Sequence, residues 1–226
     1  MGNAVLAALD ARAREALLLH ATACDLPLWQ VLSTREDVVY FPVSGCISVL
    51  ADVEGTMGPE VDMVGADGML GWQALLEQTP VPWRALVCSA GQAWRVDATW
   101  LRDTVAGSEP LRDQCQRQLY LALAQAVSSA ACMRLHSIEQ RLARRLLMHV
   151  DCVGHDHMDI THAMLAALLG VRRVGITRVA GALARRGCIA YRHGELEVRD
   201  RQRLMQLACS CYAAQRDLRD EVKRRA

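Results

Sequence analysis

From Leu111 to Leu135 the chain runs for 25 residues without a glycine or a proline, and this stretch constrains the fold more than any other. Pro110 stands just ahead of it, suited to a first helical turn in which its missing N–H has no partner to lose. At ~1.5 Å per residue, one helix of about 40 Å is predicted. Leu111, Cys115, Leu119, Ala122, Ala126, Ala130 and Met133 recur at helical intervals. The small residues Ala122, Ala126, Ser129 and Ala130 would let another helix approach closely. A second copy of the same helix is the expected occupant, and packing against the protein's own strands is the alternative.

The two sides of this helix differ in kind. Met1 to Leu19 reads as an amphipathic helix, because Asp10, Arg12, Arg14 and Glu15 interrupt an apolar stretch that a secretion signal would keep uncharged. Short strands follow. Val38 to Phe41 stops at Pro42, Ser44-Gly45 turns the chain into Cys46 to Leu50, and Glu54 to Gly58 reads as a loop before Val61 to Val64. Trp72 to Glu77 suits one or two helical turns, and Trp83 to Cys88 and Ala93 to Val96 are further strands. Short strands spaced this evenly predict a small antiparallel barrel or sandwich. The expected class is α+β: a β-barrel domain with its N-terminal helix over 1–107, the long helix over 108–136, and a helical domain over 137–226.

Charge divides at nearly the same place. Met1 to Met133 carries eight Arg and no Lys against 15 acids, a net −7, whereas Arg134 to Ala226 carries 18 basic residues against 10 acids, a net +8. Only the second half is suited to a polyanion. No apolar run approaches the roughly 18 residues of a membrane helix, so a cytoplasmic protein without a membrane partner is expected. Nine cysteines, an odd and scattered set, do not read as a disulfide framework. A Gly-x-Ser-x-Gly elbow, a phosphate loop and a His-Glu-x-x-His pair are all missing from the sequence, so no catalytic residue is assigned and an enzyme is not expected. His149, His155, His157 and His162, with Asp151, Cys152, Asp156 and Asp159, match no regular zinc spacing. Cys209 and Cys211, placed on one helix, would point to different faces. Neither a metal nor another cofactor is therefore expected.

The basic half has a readable order. Ser137 and Gln140 form a Ser-x-x-Gln capping pattern ahead of Ile138, Leu142, Leu146, Leu147 and Val150, and Asp151 to Asp159 reads as a loop. Thr161 caps a second helix whose buried face is Leu165, Leu168 and Leu169, and Gly170 supplies a tight turn. The third helix, Arg172 to Arg186, turns Ile176, Val179, Ala180 and Leu183 inward and Arg173, Thr177 and Arg178 outward. Cys188 to Arg192 and Glu195 to Val198 flank His193-Gly194, a two-residue hairpin or wing. This is the order of a winged helix-turn-helix. Arginine in the first half of its second helix can donate two hydrogen bonds to guanine O6 and N7 in the major groove. Arg172, Arg192 and His193 are placed to meet phosphates of double-stranded DNA.

Over roughly residues 10–212 the chain resembles the Crp/Fnr (cyclic-AMP receptor protein and fumarate–nitrate regulator) family of transcription regulators. The resemblance rests on Gln140-Arg141-Leu142-Ala143-Arg144-Arg145-Leu146-Leu147, on Thr161 to Gly170, on Leu169-Gly170-Val171-Arg172-Arg173, on the hairpin and on Cys209-Ser210-Cys211-Tyr212. It implies a cyclic-nucleotide-binding-like sensor barrel, a dimerisation helix, a homodimer on an inverted-repeat operator, and RNA polymerase as a partner. It also implies base contacts by Arg173 and Arg178 and phosphate contacts by Thr161 and His162. Val174 stands where the family often has glutamate, and a valine can meet only a thymine methyl.

In cyclic-nucleotide-binding members a Gly-Glu-Leu-Gly-like stretch holds the ribose and a following arginine neutralises the phosphate. Here the corresponding residues are Gly68, Met69, Leu70 and Gly71, and the next arginine is Arg84, beyond Pro80 and Pro82. A thioether is a weak, uncharged acceptor, so cyclic AMP is not expected to bind in the family's usual way. Iron–sulfur members use a cysteine cluster near the N-terminus, where only Cys24 lies here. A regulator gated by some other small molecule is the leading expectation, with a constitutive or thiol-redox-responsive one as the alternative.

Overall fold

The N-terminal helix expected from the sequence is broken in two by its own capping residues. Asn3 accepts the N–H groups of Val5 and Leu6 at 3.0 and 3.2 Å and starts α1 (Ala4–Ala7). Asp10 accepts from Ala13 at 2.8 Å and starts α2 (Ala11–Leu19). Residues 2–33, 37–77 and 81–224 are described in this computed structural model, and Pro80 lies outside the described residues. The chain divides into two units: Met1–Val49 with Met63–Leu123, and Leu50–Asp62 with Ala124–Arg225.

The strands are β1 (Ala21–Leu26), β2 (Val31–Leu32), β3 (Val38–Pro42), β4 (Cys46–Val53), β5 (Thr56–Val64), β6 (Trp83–Ser89) and β7 (Gly91–Asp97). They form two sheets, ordered β1-β7-β3 and β2-β6-β4-β5, so the expected barrel takes a double-sheet form. Registers are antiparallel, with Phe41 opposite Trp94 and Leu32 opposite Ala85. β1 was not anticipated, because Thr22, Cys24 and Asp25 break the apolar alternation of this edge strand. β5 begins at Thr56, inside the expected loop: Glu54 and Gly55, at φ 52° and 78°, complete the turn in two residues.

One apolar core of the first unit joins Val5, Leu6 and Leu17 to Val39, Phe41 and Val96, with Met69, Leu101 and Leu111. The Gly68–Gly71 segment is held against β3 by paired backbone bonds between Tyr40 and Leu70, at 2.8 and 2.9 Å. At Gly71, φ is +98° and an added Cβ would stand 2.3 Å from the Val38 carbonyl oxygen, so only glycine fits.

Asp97 caps α3 (Ala98–Gly107), and α4 (Glu109–Leu135) is the single long helix expected. Its exposed apolar stripe is Tyr120, Leu123, Val127 and Leu135, displaced from the Leu119-Ala122-Ala126 stripe read from the sequence, whose residues are half-buried. The remaining elements are α5 (Ile138–Val153), β8 (His157–Asp159), α6 (His162–Leu169), α7 (Arg173–Arg185), β9 (Ile189–Arg192), β10 (Glu195–Val198), α8 (Arg201–Leu207) and α9 (Ser210–Arg224). β8 lies in the expected loop and pairs with β10, so the wing is a three-stranded sheet, β8-β10-β9. Leu142, Leu146, Leu165, Leu168, Ile176, Leu183, Leu196 and Leu204 fill this unit's core.

Gly71→Ala should lower unfolding free energy by well over 1 kcal/mol, because strain and a backbone collision act together. Gly55→Ala, at φ +78° with open space around it, should lose no more than about 1 kcal/mol. Urea denaturation of the two variants checks the ranking, and equal losses would contradict the packing described for Gly71.

Candidate nucleic-acid interface

The interface is assembled from helix ends and turns. At the start of α5, Ser137 Oγ accepts from Gln140 N–H at 3.3 Å and Gln140 Oε1 accepts from Ser137 N–H at 3.0 Å, closing the capping box. Thr161 Oγ1 accepts from Met164 N–H at 3.1 Å and starts α6. Arg141, buried on α5, donates to the Leu169 carbonyl and caps the other end of α6. Gly170 then turns the chain at φ +60°, Val171 N–H bonds back to the Ala166 carbonyl at 2.9 Å, and Arg172 stands at the N-cap of α7.

On α7 the buried face is Ile176, Val179, Ala180 and Leu183. Arg172, Arg173, Val174, Thr177 and Arg178 are all exposed, Val174 to 79%. Arg192 and His193 are exposed in the wing, whose two-residue turn has φ +53° at His193 and +92° at Gly194. Among the described residues no carboxylate pairs with Arg172, Arg173, Arg178 or Arg192. Other arginines of this unit are matched: Arg186 to Glu139, Arg199 to Glu197 and Arg201 to Asp151. A guanidinium left without an acid on an exposed helix face has its donors free for an external anion.

Thr161 and His162 have inward tasks. The Thr161 hydroxyl oxygen accepts in its cap, and the exposed hydroxyl can still donate its own proton outward. The His162 ring stacks on Tyr191 of the wing at 4.1 Å and 19°, and its Nδ1 lies 3.2 Å from Thr177 Oγ1. Thr177 in turn donates to the Arg173 carbonyl at 3.2 Å, so Nδ1 is the donor and the ring bridges α6, α7 and the wing. Burial, and then the Arg173 charge, hold the His162 pKa below the ordinary histidine value, which disfavours the charged ring.

Sequence reasoning missed the groups beneath this surface. Arg145 and Glu60 form a buried ion pair at 3.3 Å, with side chains 3% and 8% exposed, although 85 residues separate them. Tyr191 was legible only as an apolar strand residue. His157, weighed for a metal, instead lies 3.9 Å from Glu197 across the wing.

The four residues weighed for a sensor ligand lie in the other unit. Met69 is 2% exposed and packed in the core. Gly68 accepts a hydrogen bond from Asn3 Nδ2 at 2.9 Å, and Gly71 is needed for its turn. Arg84 is half-buried on β6, and Glu77 pairs with Arg102 at 3.2 Å.

Residues 140–207 match the family of the Crp-like helix-turn-helix domain. No curated protein matches the chain by sequence. Solved structures do. A Crp/Fnr-family protein from Eubacterium rectale has a TM-score of 0.71 at 15% identity, covering 90% of this chain and 97% of its own. FixK2 from Bradyrhizobium japonicum has 0.68 at 14%, covering 84% and 98%. The c-di-GMP responsive global regulator CLP of Xanthomonas campestris has 0.68 at 17%, covering 84% and 100%. The chain carries a Crp-like helix-turn-helix domain within the fold of the Crp/Fnr regulators.

Removing one member of the buried ion pair leaves the other charge stranded, so Glu60→Ala should lower stability by about 3–5 kcal/mol. The double variant Glu60→Leu with Arg145→Met should recover most of that loss, because both charges of the pair leave together. Guanidinium denaturation reads both, and a double variant as weak as the single one would show that the charges are not coupled.

Proposed function

We propose that this chain is a transcription regulator that binds an inverted-repeat DNA operator as a homodimer, reading bases with α7 and holding the backbone with the wing. The observation that carries the proposal is the acid-free arginine face of α7 beside Arg192. Arg173 and Arg178, in the first two turns of α7, are assigned to base edges. Arg172, Arg192 and His193 are assigned to phosphates, Thr161 and His162 hold the helix ends at the same surface, and Val174 offers an apolar contact to a thymine methyl. The exposed stripe Tyr120, Leu123 and Val127 supports α4 as the dimer seam, and a two-fold reader implies half-sites about 10–11 base pairs apart. Met69, enclosed in the core, supports a sensor unit that does not hold cyclic AMP through a carboxylate. RNA polymerase is the partner through which such a regulator would act, and the c-di-GMP response of the Xanthomonas relative marks a cyclic dinucleotide as one effector class to assay.

Selection of bound sequences from a random pool would define the operator, and fluorescence anisotropy would then measure the variants. Arg173→Ala and Arg178→Ala should each cost about 1–3 kcal/mol and relax preference at one base position. Arg172→Ala and Arg192→Ala should weaken every sequence alike and lower the slope of log affinity against log salt by roughly one. Unchanged preference in Arg173→Ala would remove α7 as the reader.

Leu123 and Val127, 62% and 63% exposed, test the seam. Leu123→Glu with Val127→Glu should give monomers in sedimentation and abolish tight operator binding. A wild-type monomer that binds the operator tightly would contradict the dimer.

A further inference from the structure

Four metal-ligating side chains meet where the end of α4 approaches the junction of α8 and α9, and none of them belongs to the interface above. Cys132 and His136 stand four residues apart, and His136 N–H donates to the Cys132 carbonyl at 3.1 Å, so the helical turn continues and both side chains share a face. Cys209 lies in the break between α8 and α9, and Cys211 lies in the first turn of α9. The helical geometry that would point these two thiols apart is interrupted, which corrects the expectation drawn from the sequence. All four potential ligand atoms lie within 4.8 Å of one another. Cys132 Sγ is 3.5 Å from Cys209 Sγ, and Cys211 Sγ is 3.7 Å from His136 Nδ1. With Zn–S near 2.3 Å and Zn–N near 2.0–2.1 Å, a tetrahedral zinc site needs ligand separations of about 3.6–3.8 Å.

We propose that Cys132, His136, Cys209 and Cys211 bind one zinc-class divalent cation and thereby fasten the last turn of α4 to the first turn of α9. Three thiolates and one neutral imidazole are a closed structural set, with no position left for substrate. The shell around them fits the charge. Such a site carries a net negative charge, and the buried Arg144 guanidinium lies near Cys132, with its Nε and Nη2 in no hydrogen bond. Binding displaces the thiol protons to solvent, and nothing is oxidised or reduced.

Cobalt(II) tests the site in the full-length protein, reduced with a phosphine that does not chelate metals. One equivalent should produce intense visible d–d bands and a near-ultraviolet sulfur-to-cobalt charge-transfer band, both erased by one equivalent of zinc. Native mass spectrometry should show one zinc per chain. Cys209→Ser and Cys211→Ser should each lose or weaken these bands, while Cys24→Ser should keep them. A wild-type protein that is folded by circular dichroism, with its thiols reduced, yet gives neither the bands nor a zinc adduct overturns the proposal. So does a Cys209→Ser/Cys211→Ser double variant that retains the wild-type spectrum.

Discussion

Helix α5 buries three guanidinium groups within little more than one turn, Arg141, Arg144 and Arg145, and the contacts of Arg141 and Arg145 organise the second unit. A guanidinium stays charged at any ordinary pH, and taking it out of water unmatched costs several kcal/mol, so each must find an acceptor or an anion. Arg145 has Glu60, and Arg141 has the carbonyl of Leu169. Arg144 lies near Cys132, with its Nε and Nη2 in no hydrogen bond. Because Arg141 takes the last carbonyl of α6, the position of that helix end is fixed by α5, and Gly170 can then set the angle at which α7 leaves. The reading surface inherits its geometry from a buried charge.

The same accounting explains why a chain of net charge +1 can address a polyanion. The arginines of the second half differ in their partners. Arg186, Arg199 and Arg201 are matched by acids within their own unit, which neutralises much of the surface. Among the described residues Arg172, Arg173, Arg178 and Arg192 have no acid partner, and they lie at the start of α7 and in the wing. An exposed ion pair contributes little to stability, so leaving these four unmatched costs the fold little while concentrating the field where DNA would meet it.

Much of this was legible in the sequence because the signals are local. The Ser137–Gln140 capping box, the Thr161 cap, the Gly170 turn, the inward faces of α6 and α7 and the His193-Gly194 hairpin each depend on residues within a few positions of one another. The misses share the opposite property. Glu60 and Arg145 meet across 85 residues, and Cys132 and Cys209 across 77, which no periodicity encodes. The break at Asp10 was available in principle, since aspartate is a strong N-cap, but the apolar pattern on both sides outweighed it. On α4 the helix itself was legible, but with apolar or small residues nearly all round its second half, packing selects which stripe is left exposed.

The placement of the sulfur cluster ties these threads together. His136 is followed directly by Ser137, the N-cap of α5, so one peptide bond separates the cluster from the start of the helix that carries Arg141, Arg144 and Arg145. Within two turns of that cap, Arg141 grips the end of α6, and α7 begins three residues beyond Gly170. Packed helices shift as rigid bodies rather than bending, since their backbone bonds and interdigitated side chains resist local distortion. The path from His136 to the α7 turn is therefore short: the Ser137 cap, the first turn of α5 and the Arg141 bond to Leu169. An ion fixing Cys132 and His136 to Cys209 and Cys211 would anchor the start of that path, making the orientation of the reader a consequence of four ligands that never face DNA.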